Sequence, residues 1–210
     1  MPDLRVEALL WGQGLERIAG IDEAGRGSWA GPVVAAAVVL PPTADRTGEL
    51  VVVRDSKLLT ARQREFAADI IRDLSLGVGI GVAPVEVVDE LGLSCAGQLA
   101  FWRAVRSLSV SPDFLLVDGF PLWSDAIRQA AILQGDQRCL SIAAASIIAK
   151  VTRDEIMRGL DVSAPGYGLA QNCGYGTAKH REALRQLGPS PFHRRSFEPV
   201  TAAVLQPELA

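Results

Sequence analysis

Four carboxylates carry most of the chemistry that this sequence offers. Asp22 and Glu23 follow the apolar run from Arg17 to Ile21, Asp118 follows Phe114 to Val117, and Asp136 follows Ala131 to Gln134 after one glycine. Each run reads as a short strand, so three strands end in acid. Two adjacent acids closing a buried strand are costly unless something cationic neutralises them. Neighbouring strand residues point to opposite faces, which predicts that Glu23 sits where the strand ends and the chain turns. If the three strands are neighbours, Asp22, Glu23, Asp118 and Asp136 converge at one sheet edge. There they repel and raise each other's pKa unless cations bind. The donors are all oxygens, which favours Mg²⁺ or Mn²⁺ over zinc or copper. Two such ions about 4 Å apart activate a water and stabilise the leaving oxygen of a phosphodiester. Taken singly, each acid has a competing reading as ordinary turn chemistry, since Asp-Gly and Gly-Asp are common in turns.

Other residues surround this set. Gly25-Arg26-Gly27 follows the first acids, and its bare backbone allows close approach to a polymer or phosphate. The glycine spacing fits neither a dinucleotide fingerprint nor a phosphate-binding P-loop. Tyr175, between Gly174 and Gly176, is either a stacking platform for a sugar or base or a cap on the core. His193 beside Arg194 either contacts phosphate or decorates the surface. Lys57 and Lys150 are weaker candidates for substrate contact.

The elements that must position these residues follow from periodicity. Val33 to Leu40 is a buried strand able to pair antiparallel with the first, and Glu49 to Val53 reads as a short strand after a loop over Thr43 to Gly48. Thr60 and Gln63 have capping-box spacing ahead of a helix whose apolar face is Phe66, Ala67, Ile70, Ile71 and Leu74. Leu76 to Ala83 alternates glycine with Val78, Ile80 and Val82, a strand whose glycine face lies close to something. Pro84 to Asp89 and Ser94 to Leu108 are helical by pattern. The strands ending at Asp118 and near Asp136 are short and buried. Ser141 to Met157 is a helix that must be buried over its first half, with Lys150, Arg153 and Asp154 emerging into solvent. Gly166 to Gly176 is loop, Thr177 to Leu187 is a last helix, and Val200 to Ala210 is a tail. The order predicts an α/β fold: a mixed sheet of five strands with helices on both faces.

Composition bounds the rest. The 210 residues are 49% apolar and 21% charged, ordinary for one globular domain. No apolar run approaches the ~20 residues of a membrane span, and Met1 to Glu16 lacks a signal-peptide apolar region. Cys95, Cys139 and Cys173 are widely spaced, which argues against a zinc site or disulfide framework and for a reducing cytoplasm. The net charge is −3, yet Lys150 to Arg195 holds eight Lys/Arg against four Asp/Glu, while the remainder holds 13 against 20. A basic C-terminal third beside an acidic body fits an anionic polymer.

Together these motifs resemble the ribonuclease HII family. The resemblance lies in Gly20 to Gly27, Ala30 to Val38, Asp55-Ser56-Lys57, Val117-Asp118-Gly119 and Gly135-Asp136. It continues in Ile142 to Asp154, Gly174 to Thr177 and His193 to Phe197, in order over residues 17–200. It divides the chain into a variable segment 1–16, a catalytic domain 17–200 and a tail 201–210. It implies a ribonuclease H-like fold whose first three strands are antiparallel. It also implies endonucleolytic cleavage of RNA in RNA–DNA hybrids, and of single ribonucleotides embedded in duplex DNA, with two Mg²⁺ or Mn²⁺ ions; the chain itself is expected to be a cytoplasmic monomer. The metal-binding and catalytic acids then fall on Asp22, Glu23, Asp118 and Asp136. The backbone that reads the ribose 2′-hydroxyl falls on Gly25, Arg26 and Gly27, and the sugar-stacking tyrosine on Tyr175. Asn172-Cys173 stands where the family usually has His-Lys, which removes a cation from the substrate path. Trp29 replaces a smaller residue, and Phe120 stands where the family varies. Two other readings remain: a DNA-directed nuclease or recombinase of the same fold, and a non-catalytic nucleic-acid-binding module.

Overall fold

The structure is a computed structural model that describes residues 1–44 and 48–205. Helix α1 (Arg5–Trp11) precedes the central strand β1 (Ile18–Ala24), which is followed by β2 (Val33–Val39), α2 (Ala61–Leu74), β3 (Gly77–Ala83) and α3 (Val85–Arg106). Then come β4 (Phe114–Asp118), β5 (Gln129–Ile132), α4 (Leu140–Ser163), α5 (Leu169–Asn172), α6 (Ala178–Leu187) and α7 (Glu198–Leu205). The sheet order is β3-β2-β1-β4-β5. β1, β2 and β3 pair antiparallel, and β4 and β5 join parallel to β1 and to each other. This is the mixed five-stranded sheet that the sequence predicts.

Alternation along β2 explains why both faces are covered. Ala35, Ala37 and Val39 pack towards α3, whereas Ala36 and Val38 pack towards α2 and α4. A strand buried on both faces must be apolar throughout, and β2 is. The glycine face of β3 meets α3: a Cβ on Gly79 or Gly81 would lie 2.1 or 2.0 Å from the carbonyl oxygens of Ala104 and Ala100. α2 begins on the predicted capping box, with Gln63 N donating to Thr60 Oγ1 and Thr60 N to Gln63 Oε1. Among its expected apolar residues, Phe66 points to solvent instead. α3 runs as two helical stretches joined at Gly92, whose φ is 81°.

Several boundaries differ from expectation. Glu49–Val52 forms a 3₁₀ turn that buries Leu50, not a strand. β5 ends at Ile132, and as an edge strand it is only half-buried; Leu133 is exposed and Gln134 takes a left-handed turn. α4 is longer than predicted, the 166–176 loop contains α5, and α7 covers the start of the predicted tail. Part of the loop expected at Thr43 to Gly48 and the end of the tail lie outside the described residues. Among the described residues no helix is long and apolar enough to cross a membrane.

The segment 1–16 is built into this frame. Val6, Leu10 and Trp11 pack against Ile18, Leu116 and Ile142. Asp3 N donates to Arg138 O and Leu140 N to Asp3 O, so the chain's start is tied to the entry of α4. Glu7 is fully buried there; its Oε1 accepts from Ser141 N at 2.9 Å and Ser141 Oγ at 2.7 Å. A carboxylate on the first-turn amides of a helix favours that helix, while burial raises its pKa. Replacing Glu7 by Ala is expected to lower stability by about 2 kcal/mol, from a lost cap and a buried unpaired donor. Urea unfolding checks this; a change below about 0.5 kcal/mol would mean that the cap carries little weight.

Candidate active site

Parallel pairing brings the acids together. Ile21 is in register with Val117, so the next residues, Asp22 and Asp118, end adjacent strands side by side. Asp118 is in register with Ile132. The turn after β5 returns Gly135 N onto Asp118 Oδ1 at 2.6 Å, which brings Asp136 to the same edge. Glu23 is reached differently from the expectation. β1 does not end before it, since Glu23 and Ala24 still pair with Ala35 and Val34. Asp22 therefore faces α4, where Ser146 bonds its carboxyl, and Glu23 faces α3. The two flank Asp118 from opposite faces of the sheet. On the α3 side a cleft of about 260 Å³ is lined by Glu23, Arg26, Gly97, Gln98, Asp118 and Phe120.

These groups are held in water-poor surroundings. Asp22 is 6% exposed and Asp136 3%. Burial, with Glu23 and Asp118 nearby, lifts the Asp22 carboxyl well above the usual aspartate range. Burial raises Glu23 to about 7, with Arg26 pulling it down and Asp118 pushing it up. Asp118 is raised by burial, opposed by the Gly135 amide and reinforced by Asp136. Internal donors offset part of this. Glu23 N bonds Asp22 Oδ1 at 2.7 Å, Lys57 Nζ bonds Asp136 Oδ2 at 3.0 Å, and Arg26 Nε lies 3.5 Å from Glu23 Oε1. Those donors occupy carboxylate oxygens, and among the described residues no three acidic, His or Cys side chains are arranged so that they could hold a metal ion as they stand. The set nevertheless fits hard cations: its donors are oxygens, and a bound cation would favour the charged forms that burial disfavours.

Two arginines tie the surrounding loops to this edge. Arg153 and Arg194 are the largest fully buried side chains among the described residues. Arg153 was expected to emerge into solvent. Instead its guanidinium donates to the carbonyls of Pro32, Cys173 and Ala30 and to Ser28 Oγ. Arg194 donates twice to Gly31 O and once to Arg26 O. Burial, and then Arg153, lowers Arg194 to about 10, so it keeps its charge at neutral pH. Together they fix the loop that carries Gly25, Arg26 and Gly27. Gly25 has a φ of 95°, and a Cβ there would meet Arg153 Nε at 2.0 Å.

The remaining candidates divide. Tyr175 is 40% exposed, with Lys150 Nζ 5.9 Å and Arg153 Cζ 5.7 Å from its ring centroid. Lys150 also pairs with Asp154 at 2.7 Å. The Lys57 side chain is 75% exposed and reaches over Asp136. His193 and Arg194, considered for phosphate contact, are 1% and 0% exposed, with their polar atoms turned to His180, Ser190 and the Gly31 carbonyl. Their expected direct contact gives way to a supporting role. Sequence reasoning missed Arg153 as a loop tie; its place in the Ile142 to Asp154 motif, and not its polarity, was the available signal.

Residues 19–200 match the sequence model of the family described as Ribonuclease HII. A Ribonuclease HII of Chloroflexus aurantiacus is 51% identical over 209 residues, covering 99% of both chains. One from Chloroflexus aggregans is 53% identical over 200 residues, covering 95% of this chain and 94% of its own. The crystal structure of the ribonuclease H2 from Pyrococcus horikoshii OT3 superposes with a TM-score of 0.74 at 26% identity, over 92% of this chain and all of that one. With the family model matching residues 19–200, relatives about 50% identical over nearly the whole chain and the fold shared with a solved ribonuclease H2, this chain belongs to the ribonuclease HII family of ribonuclease H nucleases.

Proposed function

We propose that this protein is an endonuclease that cuts the RNA strand of RNA–DNA hybrids and single ribonucleotides embedded in duplex DNA. The observation that carries the reading is the meeting of Asp22, Glu23, Asp118 and Asp136 at one sheet edge, beside a fixed Gly-Arg-Gly loop and a half-exposed tyrosine. Water adds to the phosphorus on the 5′ side of a ribonucleotide, and the bond from that phosphorus to the preceding 3′ oxygen breaks. The products carry a 3′-hydroxyl and a 5′-phosphate. The four acids would hold Mg²⁺ or Mn²⁺. The chemistry that such ions supply, when bound, is activation of water and stabilisation of the leaving oxygen.

The chain's own groups do the remainder. Asp136, bonded to Lys57, completes the carboxylate set or helps to protonate the leaving oxygen, while Lys57 stays an ammonium beside it. The backbone of Gly25, Arg26 and Gly27 reads the 2′-hydroxyl, the feature that separates a ribonucleotide from its DNA neighbours. The Tyr175 ring stacks on the sugar, and Lys57 and Lys150 are cations for the flanking phosphates. Arg153 and Arg194 keep positive charge beneath that path without touching it. A cytoplasmic role in removing ribonucleotides from DNA, by a monomer, accords with this reading.

Three outcomes follow. A duplex with one ribonucleotide is cut with Mn²⁺ and left intact with a chelator, while the all-DNA duplex survives both; cutting of the all-DNA duplex on a denaturing gel would favour a DNA-directed nuclease. Asp22→Asn and Asp118→Asn each lower cleavage by more than about a hundredfold, beyond the usual cost of losing an outer-shell partner, with native circular dichroism. Tyr175→Ala raises KM about tenfold on the single-ribonucleotide duplex, the scale of one lost stacking contact, and less on long hybrids. Equal losses on both substrates would contradict the tyrosine's role.

A further inference from the structure

The chain has two histidines, and folding brings both into one buried contact. His180 on α6 is fully buried and His193 is 1% exposed. Their Nε2 atoms lie 2.9 Å apart. Two ring nitrogens at that distance share one proton, so one ring donates and the other accepts. The outer ends of the pair decide which. His193 Nδ1 faces the backbone N–H of Ser190 at 3.1 Å and its hydroxyl at 2.8 Å. A backbone N–H only donates, so His193 Nδ1 is bare and the His193 proton sits on Nε2. His180 Nδ1 lies 3.0 Å from the carbonyl oxygen of Tyr175, which only accepts. His180 therefore carries its proton on Nδ1 and receives at Nε2. Every link runs the same way: Ser190 to His193, His193 to His180, His180 to the carbonyl of Tyr175.

The surroundings keep both rings neutral. Burial lowers His180, and burial followed by the neighbouring His180 lowers His193 to about 4. Tyr167 packs 4.7 Å from the His193 ring with its hydroxyl turned to Gly188 O, and Trp29 packs 5.7 Å from His180. The same Trp29 closes on the tyrosine loop: its amide donates to Gly174 O, and a Cβ on Gly176 would meet its ring at 2.1 Å. Thr177 N also donates to Tyr175 O, so that carbonyl is held from two sides.

We infer that His180 and His193 are positioning residues for Tyr175, their one-way relay fixing the peptide that follows the tyrosine and with it the ring's angle to the substrate sugar. This rests on the sugar contact proposed above for Tyr175. Neither histidine touches substrate; each acts through the loop.

The test separates geometry from bulk. Gln in place of His180 keeps a partner for His193 but loses the donor at the Nδ1 position; Asn keeps that donor. His180→Gln is expected to raise KM on the single-ribonucleotide duplex about tenfold, like loss of a stacking contact, with kcat little changed. His180→Asn, which keeps the donor to the Tyr175 carbonyl but takes away the acceptor of the His193 Nε2–H, is expected to raise KM by less than His180→Gln does but measurably above wild type; an Asn variant equal to wild type would overturn the part given to His193. In a Tyr175→Ala background His180→Gln should add nothing further, because both changes remove the same contact. If Tyr175→Ala raises KM while His180→Gln does not, the relay's role is overturned and the tyrosine's stands. If Tyr175→Ala itself leaves KM unchanged, the sugar contact falls, and this inference with it. The wild-type protein supplies a check that no folding defect can obscure. Its ¹⁵N histidine spectrum contains two imidazoles, expected as neutral His180 with Nδ1–H and neutral His193 with Nε2–H. The opposite tautomers, or ordinary titration near pH 6.5, would overturn the relay.

Discussion

Carboxylates withdrawn from water beside one another set the terms for this molecule. Each buried ion costs several kcal/mol, and neighbours of like charge add to that cost. The fold meets part of it with its own donors, among them the amides of Glu23 and Gly135, Lys57 over Asp136 and Arg26 near Glu23. What remains is visible as raised pKa values at Asp22, Glu23 and Asp118. An edge kept in that condition needs a frame that does not yield. The frame is a sheet whose central strands are buried on both faces, pinned by α4, whose own entry is capped by Glu7. Stability drawn from the apolar core thus supports a locally unfavourable site.

The loops around the edge obey a second constraint. Arg153 and Arg194 satisfy their guanidinium groups on backbone carbonyls and one hydroxyl, in the loop over residues 26–32 and at Cys173. A guanidinium so used is both a clamp and a buried positive charge beneath the path a phosphate chain would take. The histidine pair performs the uncharged version of the same task one layer further out, on the other side of the tyrosine loop. Loop shape here comes from side chains reaching in from distant elements, with little of it from the loops themselves.

That division explains what the sequence discloses. Strands that end in acid, the capping box at Thr60 and the close face of β3 are local or periodic features, and they are legible. β5 was misplaced by two residues because its apolar residues run on to Leu133, which is exposed; an edge strand has one partner and weak burial to fix its ends. Glu49 to Val53 reads as a strand by composition, yet it makes a 3₁₀ turn because burying Leu50 against α2 outweighs propensity. Arg153, Arg194 and His193 were read as solvent or substrate contacts because polar side chains are mostly exposed. Apart from Ser190 beside His193, their partners are backbone carbonyls, the Ser28 hydroxyl and another histidine, from 13 to 168 positions away, and no spacing rule carries that information. Glu7 was hidden for the same reason, 134 positions from the serine it caps.

The central claim is that this edge is strained by its own charge until cations arrive, and unfolding of metal-free protein measures that strain directly. Asp22 and Glu23 bind protons more tightly folded than unfolded, so stability falls as pH rises from the usual carboxylate range, and for Glu23 it levels off beyond about 7. Glu7 adds the same trend to every variant that retains it. With a chelator at pH 8, Asp22→Asn should therefore be more stable than wild type, and the gap should close towards pH 4. Mn²⁺ should stabilise wild type and have far less effect on the variant. A variant that is less stable than wild type across the whole range, or equal stabilisation of both by Mn²⁺, would contradict the account.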